Sequence, residues 1–458
     1  MAGEQLPETA VAEHLTDRIV ALQDTKLPDA VHELAERLLV DVVGLCLVAR
    51  NTDYVAAARA AWGDAGGTTI IGHAGGHSAA SAAFVNGTAA HGEDFDDTFE
   101  GGPVHAGAVI IPAVQAAAED KGRSGQDVLR GIAVGVETIC RLGLVIPKAV
   151  HKAGFHPTAV FGTMAAAAAV ATTLQANRRQ TVDSLGIAGS MAGGIIEYLA
   201  EGTWTKRMHP GWAAQSGLRA AYLGTNGFAG PRTVFEGVHG LFNGFANRRD
   251  GDWGKLLDGF GATWVTPDLA FKPYPCGTMT HPYIDCAIRL RAKGLDLDSI
   301  TAITCETAEG TLHRLWEPLA AKQSPSNGYA AKFSQPYCIA AALVHGEIGL
   351  GHFTDDAVRD ARVRDVASKI RYVIDPDNPY PHGYTGHVRL AFADGREIEE
   401  RQPHLRGGRH EALSRADIET KFRSNARLGG WDDARITAAL AAMHGCFERP
   451  LDFAFIRT

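Results

Sequence analysis

The segment HGEDFDDTFEGGPVHAG, residues 91–107, gathers His91, Glu93, Asp94, Asp96, Asp97, Glu100 and His105 between two alanine-rich stretches. Four of its carboxylates fall within five positions (93–97) and repel one another, so burial would raise at least one pKa towards neutrality. The stretches on either side, 78–92 and 106–120, are too apolar for surface helices, which argues against a solvated acidic loop. HKAGFHPTAVFGT (151–163) places His156 ahead of a Pro-Thr helix start, and histidine is the side chain whose ordinary pKa suits proton transfer near pH 7. EGTWTKRMHPGWAAQSG (201–217) sets Lys206, Arg207 and His209 just before a helix, where basic groups make an anion site. FKPYPCGTMTHPYIDC (271–286) adds Lys272, Cys276 and His281, and AAKFSQPYC (330–338) adds Lys332, Ser334 and Tyr337.

Metal and nucleotide chemistry find little to work with. D-D-T-F-E has the spacing by which a helical enzyme holds Mg²⁺, but such a site needs a second acidic cluster. Asp355-Asp356 and Asp432-Asp433, the other DD pairs, have no acid three residues after the second Asp. One Cys and one His near 276–281 do not close a zinc site, so no metal is expected. A phosphate-binding glycine loop, H-E-x-x-H and G-x-S-x-G are all absent, and no cofactor is expected.

These groups need scaffolding, and the sequence predicts two kinds. From about 10 to 262 the pattern is helical: Val31, Leu34, Leu38, Val42 and Leu45 repeat at three and four residues. Segments 78–92, 106–120, 125–142, 158–174 and 211–226 are alanine-rich, as closely packed helices require. Beyond PYPCG (273–277) the character changes. SITAITCETAEG (299–310) and KIRYVID (369–375) read as strands, and 386–400 as a hairpin turning at Asp394-Gly395, with helices near 281–293 and 334–346. The tail is helical again, opening on Ser414-x-x-Asp417. The expected fold class is a large discontinuous helical domain, 1–265 and 405–458, with a smaller α/β lid, 266–404.

The chain has 458 residues and a net charge of −8, which favours neither nucleic acid nor an anionic membrane as partner. Seven scattered cysteines read as reduced thiols, and MAGEQLPETAVAEHL, with Glu4 and Glu8, has no secretory core, so a cytoplasmic protein is expected.

Six stretches, in this order, resemble the MmgE/PrpD family: NGTAAHGEDFDDT (86–98), the segment from His105, GFHPTAVFGT (154–163), the Trp204–Lys206 and AAQSG region, KPYPCGTMTH (272–281) and AKFSQPY (331–337). The resemblance implies a homodimer with a cleft between a helical domain and an α/β lid, acting without cofactor on a small polycarboxylate. It places active-site positions on Asp94, Thr98, His105, His156, Lys206 and Tyr337, with the His281 segment beside them. On that footing His156, Tyr337 and an Asp94–His105 pair exchange protons beside a carboxylate, while Lys206 steadies the developing enolate-like charge. Thr98, Arg207, His209, Lys272 and His281 are expected to hold the substrate. Overall similarity and the altered linker FEGGPVHAG after Thr98 point to an epimerase of the iminodisuccinate type. The alternative is a lyase of the 2-methylcitrate dehydratase or cis-aconitate decarboxylase type.

Overall fold

Alanine and glycine at helix contacts let backbones approach closely, and the helical part of this chain is built on that property. The computed structural model describes residues 7–102, 104–449 and 453–457; Pro103 of the linker before His105, and Glu4 near the start, lie outside them. Contacts divide the chain into two compact units. Unit 1 comprises Met1–Gly92, Asp96–Leu269 and Ser414–Thr458, and unit 2 comprises Glu93–Phe95 and Ala270–Leu413. The fold is a large helical body with a smaller α/β part. Among the described residues no helix is long and apolar enough to cross a membrane.

Among the helices of unit 1 are α1 (Asp29–Ala49), α2 (Ala79–His91), α3 (Gly107–Lys121), α4 (Gly125–Val145), α5 (Pro157–Thr173) and α6 (Thr205–Thr225). Every residue of α5 is buried, as a helix with no charged side chain on any face demands. Helix α6 packs against both α2 and α5. The α2–α6 crossing is set by two glycines: a Cβ at Gly87 would stand 2.6 Å from the Gly211 Cα, and one at Gly211 would strike the Phe84 carbonyl oxygen. The helix Arg415–Leu428 lies on α1, with Phe422 against Gly44 and the buried Lys421 ammonium 2.8 Å from Asp41.

Pro210 stands inside α6, whereas the sequence suggests a helix starting only after it. The helix begins at Thr205 and tolerates the proline at the cost of one bond, since Pro210 has no N–H to give the Lys206 carbonyl. Lys206, Arg207 and His209 therefore ride on the first helical turns rather than in a preceding loop.

Unit 2 carries a four-stranded sheet of β1 (Ile300–Thr307), β2 (Ile370–Ile374), β3 (Gly386–Phe392) and β4 (Glu397–Gln402) in the order β2-β1-β3-β4. β1 pairs parallel with β2 (Ile303 beside Ile370) and antiparallel with β3 (Ile303 beside Leu390), and β3 and β4 form the hairpin. Asp394-Gly395 makes its turn, Gly395 at φ 85°, a conformation that favours glycine. Helix α7 (His281–Ala292) packs on the sheet and on α8 (Gln335–His345), around a core that includes Trp316, Ile303 and Leu390. All seven cysteines, four of them in unit 2, are buried and unbridged.

The glycine crossing is testable. Gly211→Ala should lower unfolding free energy by ~1–3 kcal/mol in denaturant titrations, the usual cost of overpacking. Gly244→Ala, a helix position with nothing within 4 Å of an added Cβ, should be neutral or slightly stabilising.

Candidate active site

In unit 1 the starts and ends of four helices bring one buried polar cluster together. Helix α2 ends on His91; α3 starts at Gly107, just after the acidic run; His156 is the N-cap of α5; Lys206 and His209 lie on the first turns of α6. The two aspartates of the DD pair have separate duties. Asp97 accepts the Ala106 and Gly107 N–H groups at 2.8 Å each, anchoring the start of α3. Asp96 accepts the His91 Nδ1–H at 2.6 Å, and its carboxylate also lies 3.7 Å from His105 Nδ1. His105 Nδ1 donates to the Asp97 carbonyl at 2.7 Å, so the neutral ring carries its lone pair on Nε2. The Lys206 ammonium donates to His91 Nε2 at 3.2 Å. His156 and His209 share a hydrogen bond between their Nδ1 atoms, 3.1 Å apart, with one ring carrying the proton.

Burial and crowding decide the charges. Desolvation first, then the neighbouring His209, His91, Lys206 and His105, push His156 well below the ordinary histidine range. The same causes, desolvation foremost, bring His209 down to about 4. This corrects the expectation that His156 titrates near pH 7: it is a neutral hydrogen-bonding ring, because burial makes its charged form too costly and the surrounding groups add to the penalty. Burial, and then the Asp96 charge, push Asp97 up to about 8 against the pull of its two backbone N–H donors.

Ligand nitrogens of His91, His105 and His156 lie within 4.8 Å of one another, a triad that linear spacing did not reveal and that resembles a metal site. Lys206 argues against that use, since its ammonium donates into the His91 lone pair a cation would need.

Unit 2 holds a second polar group. Asp94 is buried with a left-handed φ of 55°, and Lys272 donates to its carbonyl at 2.9 Å and stands 3.8 Å from its carboxylate. Tyr329, which the sequence reading passed over, donates to Asp94 Oδ2 at 3.4 Å. Lys332 closes on Glu93, with bonds of 2.6 Å to the carbonyl and 2.8 Å to the carboxylate.

His105, His156, Lys206 and His209 thus come together in unit 1, joined by His91 and Asp96, while Asp94 and Lys272 meet in unit 2. Two other candidates have different partners. Tyr337 is buried in the unit 2 core with its hydroxyl on the His352 carbonyl at 2.6 Å, and His281 Nε2 donates to the Cys276 carbonyl at 3.2 Å. The Arg207 guanidinium stacks 4.4 Å from the centre of the Tyr54 ring, and Thr98 is buried in the short strand Thr98–Phe99.

A family model described as the MmgE/PrpD N-terminal domain matches residues 13–253, and one described as the MmgE/PrpD C-terminal domain matches 274–444. The chain is 31% identical to the cis-aconitate decarboxylase of Homo sapiens over 77% of its own length and 73% of that protein. It is 29% identical to the Mus musculus cis-aconitate decarboxylase over 91% and 87%. A cis-aconitate decarboxylase-like protein of Aspergillus oryzae is 28% identical over 87% and 86%.

The depressed histidines predict how acid acts on unit 1. The unfolded chain protonates at the ordinary 6.5, the folded His209 only near 4, so its stabilising contribution is complete above 6.5 and lost as pH falls to about 4. That gap of about 2.5 units corresponds to roughly 3 kcal/mol. Melting temperature followed from pH 7 to 4 should therefore fall more steeply for the native chain than for His209→Gln; equal slopes would contradict the assignment.

Proposed function

The chain belongs to the MmgE/PrpD family, and on that premise we propose that it is a cofactor-independent lyase releasing CO₂ from a small unsaturated tricarboxylate of the cis-aconitate type. The lyase alternative displaces the iminodisuccinate epimerase expected from the sequence, because the relatives reported above are named for decarboxylation and none for epimerisation. The observation that supports the chemistry is Lys206, buried and cationic among imidazoles that burial holds neutral.

The reaction needs what such a cluster offers. In cis-aconitate the bond to the carboxylate of the CH₂ arm breaks, its electrons form a new double bond to the central carbon, and the old π pair moves to the far alkene carbon. That carbon takes one proton, CO₂ leaves, and a methylidene dicarboxylate remains. The charge developing beside the far carboxylate is enolate-like, and Lys206 is the proposed cation for it. His105 is the proposed proton carrier, through Nε2. Neutral His156 and His209 are proposed to hydrogen-bond the substrate carboxylates without adding charge.

Purified protein with cis-aconitate in D₂O and excess EDTA should release CO₂ and give a product with one carbon-bound deuterium. Lys206→Ala should lower kcat/KM by roughly two to four orders of magnitude, the scale for a lost preorganised charge. Inversion of an iminodisuccinate stereoisomer without CO₂ release would restore the epimerase reading, water loss from 2-methylcitrate would favour the dehydratase, and dependence on added metal would revive the triad as a ligand set.

The homodimer is also a proposal. Ile195, Leu199, Trp204, Trp212 and Leu223 are exposed apolar side chains of unit 1, and Trp212 and Leu223, eleven residues apart on α6, share a face. Sedimentation should give a dimer, and Trp212→Asp with Leu223→Asp should shift it to monomer.

A further inference from the structure

Asp96 and His91 were not among the residues singled out for catalysis, yet they form a continuous chain with Lys206. His91 is fully buried with one ring nitrogen on each partner: Nδ1 at 2.6 Å from Asp96 Oδ2, Nε2 at 3.2 Å from the Lys206 ammonium. A carboxylate accepts only, so His91 carries its proton on Nδ1; an ammonium donates only, so Nε2 must present its lone pair. Both ends therefore demand the same neutral tautomer. The ring links the carboxylate of Asp96 to the ammonium of Lys206 through one hydrogen bond on each side.

Lys206 is buried, so its protonated state depends on the groups around it. Titratable groups of the surrounding cluster include His91 at the end of α2, His156 at the start of α5, His209 on its own helix, and His105, Asp96 and Asp97 before α3. The imidazoles of His156 and His209 are held neutral chiefly by burial, and Asp97 accepts the N–H groups of α3.

We infer that Asp96 and His91 are positioning residues that fix the direction and the protonated state of Lys206 by locking one imidazole tautomer. The inference rests on the lyase reading for what Lys206 does, but not for how it is held. In Asp96→Asn the charge is lost and the new amide N–H can face Nδ1, moving the ring proton to Nε2, where it opposes the ammonium.

The test uses the full chain, with circular dichroism to check folding, and His91→Gln as a second variant should Asp96→Asn fail to fold. Nitrogen-15 spectra of histidine-labelled protein at pH 7 should show His91, assigned by its loss in His91→Gln, as the Nδ1–H tautomer. Competitive acetylation read by mass spectrometry at the Lys206 peptide should show the amine titrating at least about one pH unit lower in either variant, the scale of a lost neighbouring charge. The alkaline limb of kcat for cis-aconitate should move down with it, while KM changes less than kcat. An Nε2–H tautomer in the native chain, or an unmoved Lys206 midpoint in a folded variant, would overturn the inference. If the native chain releases no CO₂ from cis-aconitate, the lyase reading fails, and the tautomer and acetylation readouts, which need no substrate, still decide the relay.

Discussion

A buried ammonium is the constraint around which unit 1 is arranged. Lys206 is 8% exposed, and an amine in that setting sheds its proton unless acceptors and an opposite charge are supplied. One acceptor is the last residue of α2, and that ring is bonded in turn to a carboxylate on the first residue to return to unit 1 after Phe95. The neighbouring imidazoles of His156 and His209 stay neutral chiefly because they are buried, and the nearby ammonium adds to that. The Gly87–Gly211 approach serves this arrangement directly, since α2 and α6 carry the two ends of the His91–Lys206 bond and could not meet at 3.2 Å with side chains in the crossing.

Unit 2 handles the same problem differently. Its two buried lysines, Lys272 and Lys332, donate to backbone carbonyls and carboxylates of a three-residue stretch, Glu93–Phe95. Each ammonium is matched by an acid of that stretch, and Asp94 is held in a left-handed conformation unusual for a residue with a Cβ. The acidic run is thus divided: Glu93 and Asp94 meet Lys332 and Lys272, whereas the repulsion between Asp96 and Asp97 persists and helps burial to raise Asp97.

Much of this was legible in the sequence, and the remainder was hidden for identifiable reasons. Period-2 alternation and an Asp-Gly turn are local signals, and the hairpin of β3 and β4 forms where they lie. The acidic run announced itself by charge density between apolar helices. What the run does was not local: His91 and Lys206 are 115 positions apart, and only the α2–α6 crossing makes them partners. His156 was expected to titrate at neutrality because the ordinary pKa of histidine lies there, but burial, and then groups from three other segments, lower it. Tyr337 drew notice from its motif, whereas Tyr329, in the unremarkable SNGYAAK, is the tyrosine that reaches Asp94. A helix boundary was misplaced at Pro210 because packing on α2 and α5 outweighs one missing hydrogen bond.

The seven buried thiols have a use that has nothing to do with chemistry at the site. None is bridged and none reaches the surface, so an alkylating reagent can modify one only when the element holding it opens. Cys46, Cys140 and Cys446 sit in unit 1, and Cys276, Cys286, Cys305 and Cys338 in unit 2. The order in which these positions become labelled is therefore a built-in record of which part of the molecule breathes first, written by the chain without any added probe.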